Sequence, residues 1–211
     1  MIDRHFDPEA QARIAEAVRR AEALSRGQLV PVVVEKSDPY PEARYRGALL
    51  AAGLATGAVL LFHLPVGLHG LPLVQLVAGI AGALLSMWDP VERLLVGARA
   101  MDEAVRERAL RAFHEHGLHR TAERNGVLVF ASLFEHEAVV LGDEGIHARM
   151  GPGWDRAVAA LVAGMKRRDP AAGFVDAIAV CGAKLAEHYP RDPGAAPPPN
   201  ELEDRIRASR T

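Results

Sequence analysis

Residues 47 to 88 read GALLAAGLATGAVLLFHLPVGLHGLPLVQLVAGIAGALLSMW, and none of the chain's 25 basic and 27 acidic residues falls among them. Charge is excluded from one block of a chain that is a quarter charged overall. Gly47 to Leu64 and Leu71 to Trp88 each supply about 18 residues, which at about 1.5 Å rise per residue is about 27 Å, close to a hydrocarbon core of about 30 Å. Pro65, Gly67, Gly70 and Pro72 lie between them and turn the chain. The block therefore predicts a transmembrane helical hairpin, with spans at 47–64 and 71–88. Arg44 and Arg46 before it, Arg93 and Arg99 after it, and a turn carrying only His63 and His69 predict both termini on the cytoplasmic side of the inner membrane, a multi-pass location with the lipid bilayer as one partner. Gly53 with Gly57, and Ala78 with Gly82, are small-residue pairs that permit close helix approach, within the hairpin first and in a dimer second.

The rest of the composition excludes several classes. A net charge of −2 and a pI near 6.5 give no basic footprint for nucleic acid. The single Cys181 forms no intrachain disulfide, and no Cys/His spacing of the structural zinc kind occurs. The N-terminal stretch MIDRHFDPEAQARIAEAVRR is charged from its third residue and lacks the apolar core of a secretory signal.

The charged remainder reads as one α/β domain cut by the hairpin, its first part at 1–40 and its second at 89–190. Asp7 before Pro8 caps a helix over about 8–25, carried by Ile14, Val18, Ala21 and Leu24. GQLVPVVVE (27–35) is a short apolar strand in which Pro31 argues for an edge or a bulge while the surrounding run argues for burial on both faces. A second helix spans about 101–116, ended by Gly117. NGVLVFASL and HEAVVLGDEGI stand so close that only an antiparallel hairpin joins them. Two more helices follow, one through Trp154, Leu161 and Met165, the other through Phe174, Ile178, Cys181 and Leu185. Residues 191–211 read as a Pro-rich linker and a charged tail, with a short docked helix as one option for the tail.

The order and spacing of GQLVPVVVE, HRTAERNGVLVFASLFEHEAVVLGDEGI and GFVDAIAVCGAKLAEHYP resemble the TPM domain family. The resemblance is closest to a subgroup of bacterial membrane proteins in which a two-span hairpin interrupts the domain and the chain ends near N-E-L-x-D-R, here Asn200 to Arg205. It implies an α/β/α sandwich with a mixed sheet of about three to four strands and about four helices. It also implies an accessory or interaction module in assembly or maintenance of membrane protein complexes, with a weak divalent-metal-dependent, phosphatase-like hydrolase as the alternative. Gln28 stands where the family pattern leads one to expect Glu, so a role carried by that acid is not inherited.

Ligands of open α/β sheets favour the carboxyl ends of parallel strands. That rim is predicted to hold Glu35, Ser37, Asp38, Ser132, Glu135, His136, Asp169 and Asp176, and to face the bilayer because the first strand ends shortly before the hairpin. Glu35, Asp38, Glu135, His136, Asp169 and Asp176 are the candidate ligands for Mg²⁺ or Ca²⁺, which prefer hard oxygen donors. His114, His116 and His119 close a helix end, where imidazolium suits the dipole, and Asp143 and Glu144 sit in an ordinary Gly-rich turn. There is no G-x-S-x-G elbow, no phosphate loop and no Cys placed as a nucleophile, so no catalytic residue is assigned.

Overall fold

The computed structural model describes residues 5–67, 69–121, 123–146, 153–191 and 206–209. The Pro-rich stretch after Arg191 and the Asn200–Arg205 segment lie outside the described residues. The chain divides into two units: residues 1–38 with 102–211, and residues 39–101.

The first unit is α/β. Helix α1 (Pro8–Leu24) starts at Asp7, whose carboxylate accepts from the Ala10 amide at 2.7 Å. Strand β1 (Gln28–Val34) follows. After the insertion come α5 (Ala98–Glu115), which begins in the second unit and enters the first at Asp102, then β2 (Gly126–Ser132), β3 (Glu137–Gly142), α6 (Asp155–Lys166), α7 (Pro170–His188) and β4 (Arg207–Ser209). The sheet order is β3-β2-β1-β4. β1 pairs parallel with β2 from Gln28↔Gly126 to Val34↔Ser132 and parallel with β4 at Val32–Val34, while β2 and β3 are antiparallel.

Strand alternation splits the core in two. Leu29 and Val33 of β1, with Val127, Val129 and Ala131 of β2, pack under α1, α6 and α7. Val30, Val32 and Val34, with Leu128 and Phe130, pack under α5 through Val105, Ala109 and Phe113. β1 and β2 are buried on both faces, which is why they read as unbroken apolar runs.

The two readings of Pro31 are both satisfied. The Gln28 amide donates to Asn125 and the Glu35 amide to Ser209, so even-numbered residues of β1 turn their N–H toward β2 and odd-numbered ones toward β4. Among the described residues β4 pairs only from Val32 onward, so the missing N–H of Pro31 falls outside the described pairing. On that same edge the Leu29 amide donates to the Glu22 carboxylate of α1 at 2.8 Å. The tail, expected as a linker with a short helix as an option, instead adds a parallel strand.

The second unit corrects the transmembrane expectation. Helix α2 (Pro41–Leu61) starts well before Gly47 and carries Glu42, Arg44 and Arg46 inside it. Helix α3 (Leu71–Leu85) has 15 residues, about 22 Å at about 1.5 Å each. It stops because Pro90 cannot continue the ladder and becomes an early residue of α4 (Asp89–Val96). Among the described residues no single helix is long and apolar enough to cross a membrane; α3 and α4 together reach the length only across a 102° bend. The spans 47–64 and 71–88, the multi-pass inner-membrane location and the bilayer-facing sense of the rim are therefore not supported.

What remains is a packed helical pair. A Cβ at Gly82 would lie 2.3 Å from the Gly47 carbonyl oxygen and 2.5 Å from the Ala51 Cβ, and one at Gly47 would fall on the Ser86 hydroxyl. Gly82 thus works within the hairpin. Gly53 and Gly57, the expected pair on α2, have nothing within 4 Å of a built Cβ and do not take part. Arg46 donates to the Leu95 and Val96 carbonyls at 2.6 and 3.2 Å, tying α2 to the C-terminus of α4. We expect Gly82→Ala to destabilise the α2–α3 pair by about 1–3 kcal/mol, since nothing there can yield without parting the helices. Gly57→Ala is expected to be neutral or stabilising by up to about 1 kcal/mol. Hydrogen exchange of α2 and α3 amides distinguishes the two; equal effects would contradict this packing.

Candidate functional site

The carboxyl ends of β1 and β2 lie side by side, and the ladder runs on past them. The Leu133 amide donates to Val34 and the Phe134 amide to Glu35, at 3.0 and 2.9 Å. β2 then reverses into β3 through a turn in which His136 adopts φ 57°. That turn points the Glu135 side chain inward. Glu135 is buried, its Oε1 accepting from the Ser37 amide at 3.0 Å and its Oε2 from the Ser132 hydroxyl. The carboxylate thus clamps the segment leaving β1 to the end of β2. Lys36 lays its ammonium 4.4 Å from the Phe134 ring centroid on the same rim. The Ser37 hydroxyl is buried and finds no hydrogen-bond partner among the described residues.

Beside the clamp is a pair of acids that the sequence did not single out. Glu137, opposite Ser132, meets Asp102 of α5. Burial pushes the Glu137 carboxyl up to about 7, and a hydrogen bond with Asp102 and the negative charges of Asp102 and Glu135 add to the effect, against Arg106. Two carboxyl groups can share a hydrogen bond only if one keeps its proton. Asp102 and Glu137 are far apart in sequence, and their meeting depends on α5 lying over the sheet.

The other expected rim residues divide. Glu35 and Asp38 sit half-buried where the chain leaves β1, and His136 is exposed. Asp169 caps α7, accepting from the Ala172 amide at 3.0 Å. Asp176 is exposed, 3.4 Å from Arg167, and lines a cavity of about 300 Å³ with Arg13, Glu16, Ala17 and Arg20 of α1. Among the described residues no group of three or more His, Cys, Asp or Glu is placed to hold a metal ion. The histidines behave as helix-end residues: the His114 Nδ1 meets the Leu110 carbonyl at 2.8 Å, and its ring lies 5.1 Å from that of His119. Cys181 is buried, which pushes its thiol up to about 12 and leaves it no nucleophilic role.

No protein-family model matches the sequence, and comparison with curated proteins gives no match. Among solved structures, the chain is similar to the BA42 protein from the psychrophilic bacterium Bizionia argentinensis, determined by NMR, at a TM-score of 0.57 and 19% identity over 95% of this chain and 92% of that one. That likeness is one of fold.

Two substitutions separate clamp from proton pair. Glu135→Ala is expected to cost about 1–3 kcal/mol for each buried group it orphans, the Ser37 amide and the Ser132 hydroxyl. For Glu137 the folded pKa lies above the ordinary 4.5. Its contribution is therefore fully present below about 4.5 and is lost as pH rises toward about 7. Glu137→Gln should flatten that decline and exceed the parent in stability above pH 7 in urea unfolding. A pH profile unchanged by the substitution would contradict the shared proton.

Proposed function

We propose that this protein is a TPM-like accessory or interaction module acting in assembly or maintenance of membrane protein complexes. The observation that carries the reading is the surface of the inserted hairpin. Leu49 and Leu54 of α2 are each 75% exposed, and Leu60, Leu73, Leu76, Ile80 and Leu84 are exposed as well. Large exposed apolar patches mark interaction surfaces, since leaving them in water forgoes about 25 cal/mol for every Å². With no charge between Gly47 and Trp88, the surface offers no ion pairs, so a partner must match it with apolar area. The flanks of membrane protein subunits have that character. The α/β unit supports the same reading as a scaffold, because the contacts of Glu135, Asp169 and Asp176 described above are internal to the fold.

A metal-dependent hydrolase is the second reading, and one observation favours it. Asp102 and Glu135 both lie close enough to raise the Glu137 pKa, a gathering of acids that stops short of a three-ligand metal group among the described residues. With Glu35 and Asp38 nearby in sequence, such oxygens suit Mg²⁺ or Ca²⁺.

Photoreactive side chains at positions 54 and 76 of the full chain test the first reading. They should form adducts within transmembrane segments of other proteins, and the double change Leu54→Glu with Leu76→Glu should abolish association with those proteins. Adducts to lipid alone, or equal yields from a photoreactive side chain at exposed Arg13, would overturn it. A Ca²⁺- or Mg²⁺-induced rise in thermal stability that disappears in Glu35→Gln and Asp38→Asn would favour the hydrolase instead.

A further inference from the structure

β4 is a short strand. Three residues, Arg207–Ser209, pair with Val32–Val34, and none of the three is buried. Among the described residues Ile206 enters the core under α1 and α7, the Ser209 carbonyl accepts from the Glu35 amide at 3.0 Å, and the Arg207 side chain reaches across to α5. There its Nη1 lies 2.7 Å from His116 Nδ1. A guanidinium has only donors, so Nδ1 must accept, and the imidazole must be neutral with its proton on Nε2. The Arg207 Nε is buried without a partner among the described residues.

We infer that β4 is a detachable strap over the outer edge of β1, and that His116 is its latch, closed when the imidazole is neutral and open when it is protonated. A second proton on the ring would remove the acceptor and set two cations against each other at hydrogen-bond distance. The surroundings agree in direction. Partial burial lowers the His116 pKa below its ordinary 6.5, and Arg207 from β4 and Arg108 from α5 lower it further, against Glu115 from α5. Arg108 and Glu115 are themselves paired at 3.2 Å, which mutes both.

The sign follows from the lowered value. The closed strap binds fewer protons than the open one, so the latch holds fully above about pH 6.5. It fails as pH falls through the lower value of the closed state. Opening uncovers the β1 edge from Val32 to Glu35, leaving the Glu35 amide without its acceptor next to the Glu135 clamp. An uncovered edge of this kind is a template for another strand. Upstream, Pro31 has no N–H to offer and the Glu22 carboxylate holds the Leu29 amide, so the strap governs the edge from Val32 onward.

Amide hydrogen exchange of the full chain, corrected for intrinsic rates, tests this. Between pH 7.5 and pH 5 the protection of the Glu35 amide should fall about ten-fold, the scale of one hydrogen bond to a charged group. The Leu133 amide, which bonds to β1 from the other side, should hold its protection. His116→Gln keeps an acceptor and cannot titrate, so its Glu35 protection should be high and independent of pH. His116→Lys, always charged, should hold the parent's low-pH protection, about ten-fold lower, at both pH values. PH-independent protection in the parent chain, or the parent's pH dependence persisting in His116→Gln, would overturn the latch.

Discussion

Everything in the α/β unit depends on the parallel pairing of β1 with β2. The two strands lie on opposite sides of the 39–101 insertion, yet they match residue for residue over seven positions and are buried on both faces. Each strand has apolar side chains above and below, and helices from both sides of the insertion are needed to cover them. α1 covers part of one face, α6 and α7 the rest, and α5 the other. Neither the N-terminal piece nor the C-terminal piece owns a complete layer. Parallel neighbours always need a crossover, and here the crossover has been lengthened by a second unit without disturbing the register.

From that pairing the rim and the edges follow. Because β1 and β2 end together, the segment leaving β1 and the turn leaving β2 are neighbours, and one buried carboxylate, Glu135, can bond to both. β3 completes one side of the sheet, where it turns Glu137 toward Asp102. On the other side β1 would be an open edge. It is treated in three ways along its length: a carboxylate on Leu29, a proline at 31, and a short strand from Val32 onward. These are ordinary protections of a sheet edge, and the last is the weakest of them.

Much of this was legible in the sequence because period-2 and period-3.6 patterns are local. The helices at 8–25 and 101–116 and the strands around 27–35 and 125–146 were each marked by their own residues, and Asp7 announced its cap. The hairpin was misread for a physical reason. An uncharged block gives the length of apolar sequence, not the length of straight helix. Charged Arg44 and Arg46 belong to the same helix as the apolar residues after them, and Pro90 bends the chain just past α3. The site was legible only in part. Glu135, Ser37 and Ser132 were placed at the rim by topology, but Asp102 and Glu137 meet only in three dimensions. Asp169 and Asp176 were expected at the rim, but local geometry uses one as a cap and the other as a surface ion pair. β4 had too few residues to leave a pattern at all.

The most direct test of the account is the cooperativity of the α/β unit when the insertion is removed. A chain in which residues 39–101 are replaced by a flexible Gly/Ser linker should unfold in a single transition by circular dichroism and by tryptophan fluorescence from Trp154, because closing a loop costs free energy only logarithmically in its length. Residues 102–211 alone should show no cooperative transition, having lost β1 and α1 from the centre of the sheet. If that fragment melts as sharply as the joined chain, β1 is not the strand on which the unit closes, and the account fails.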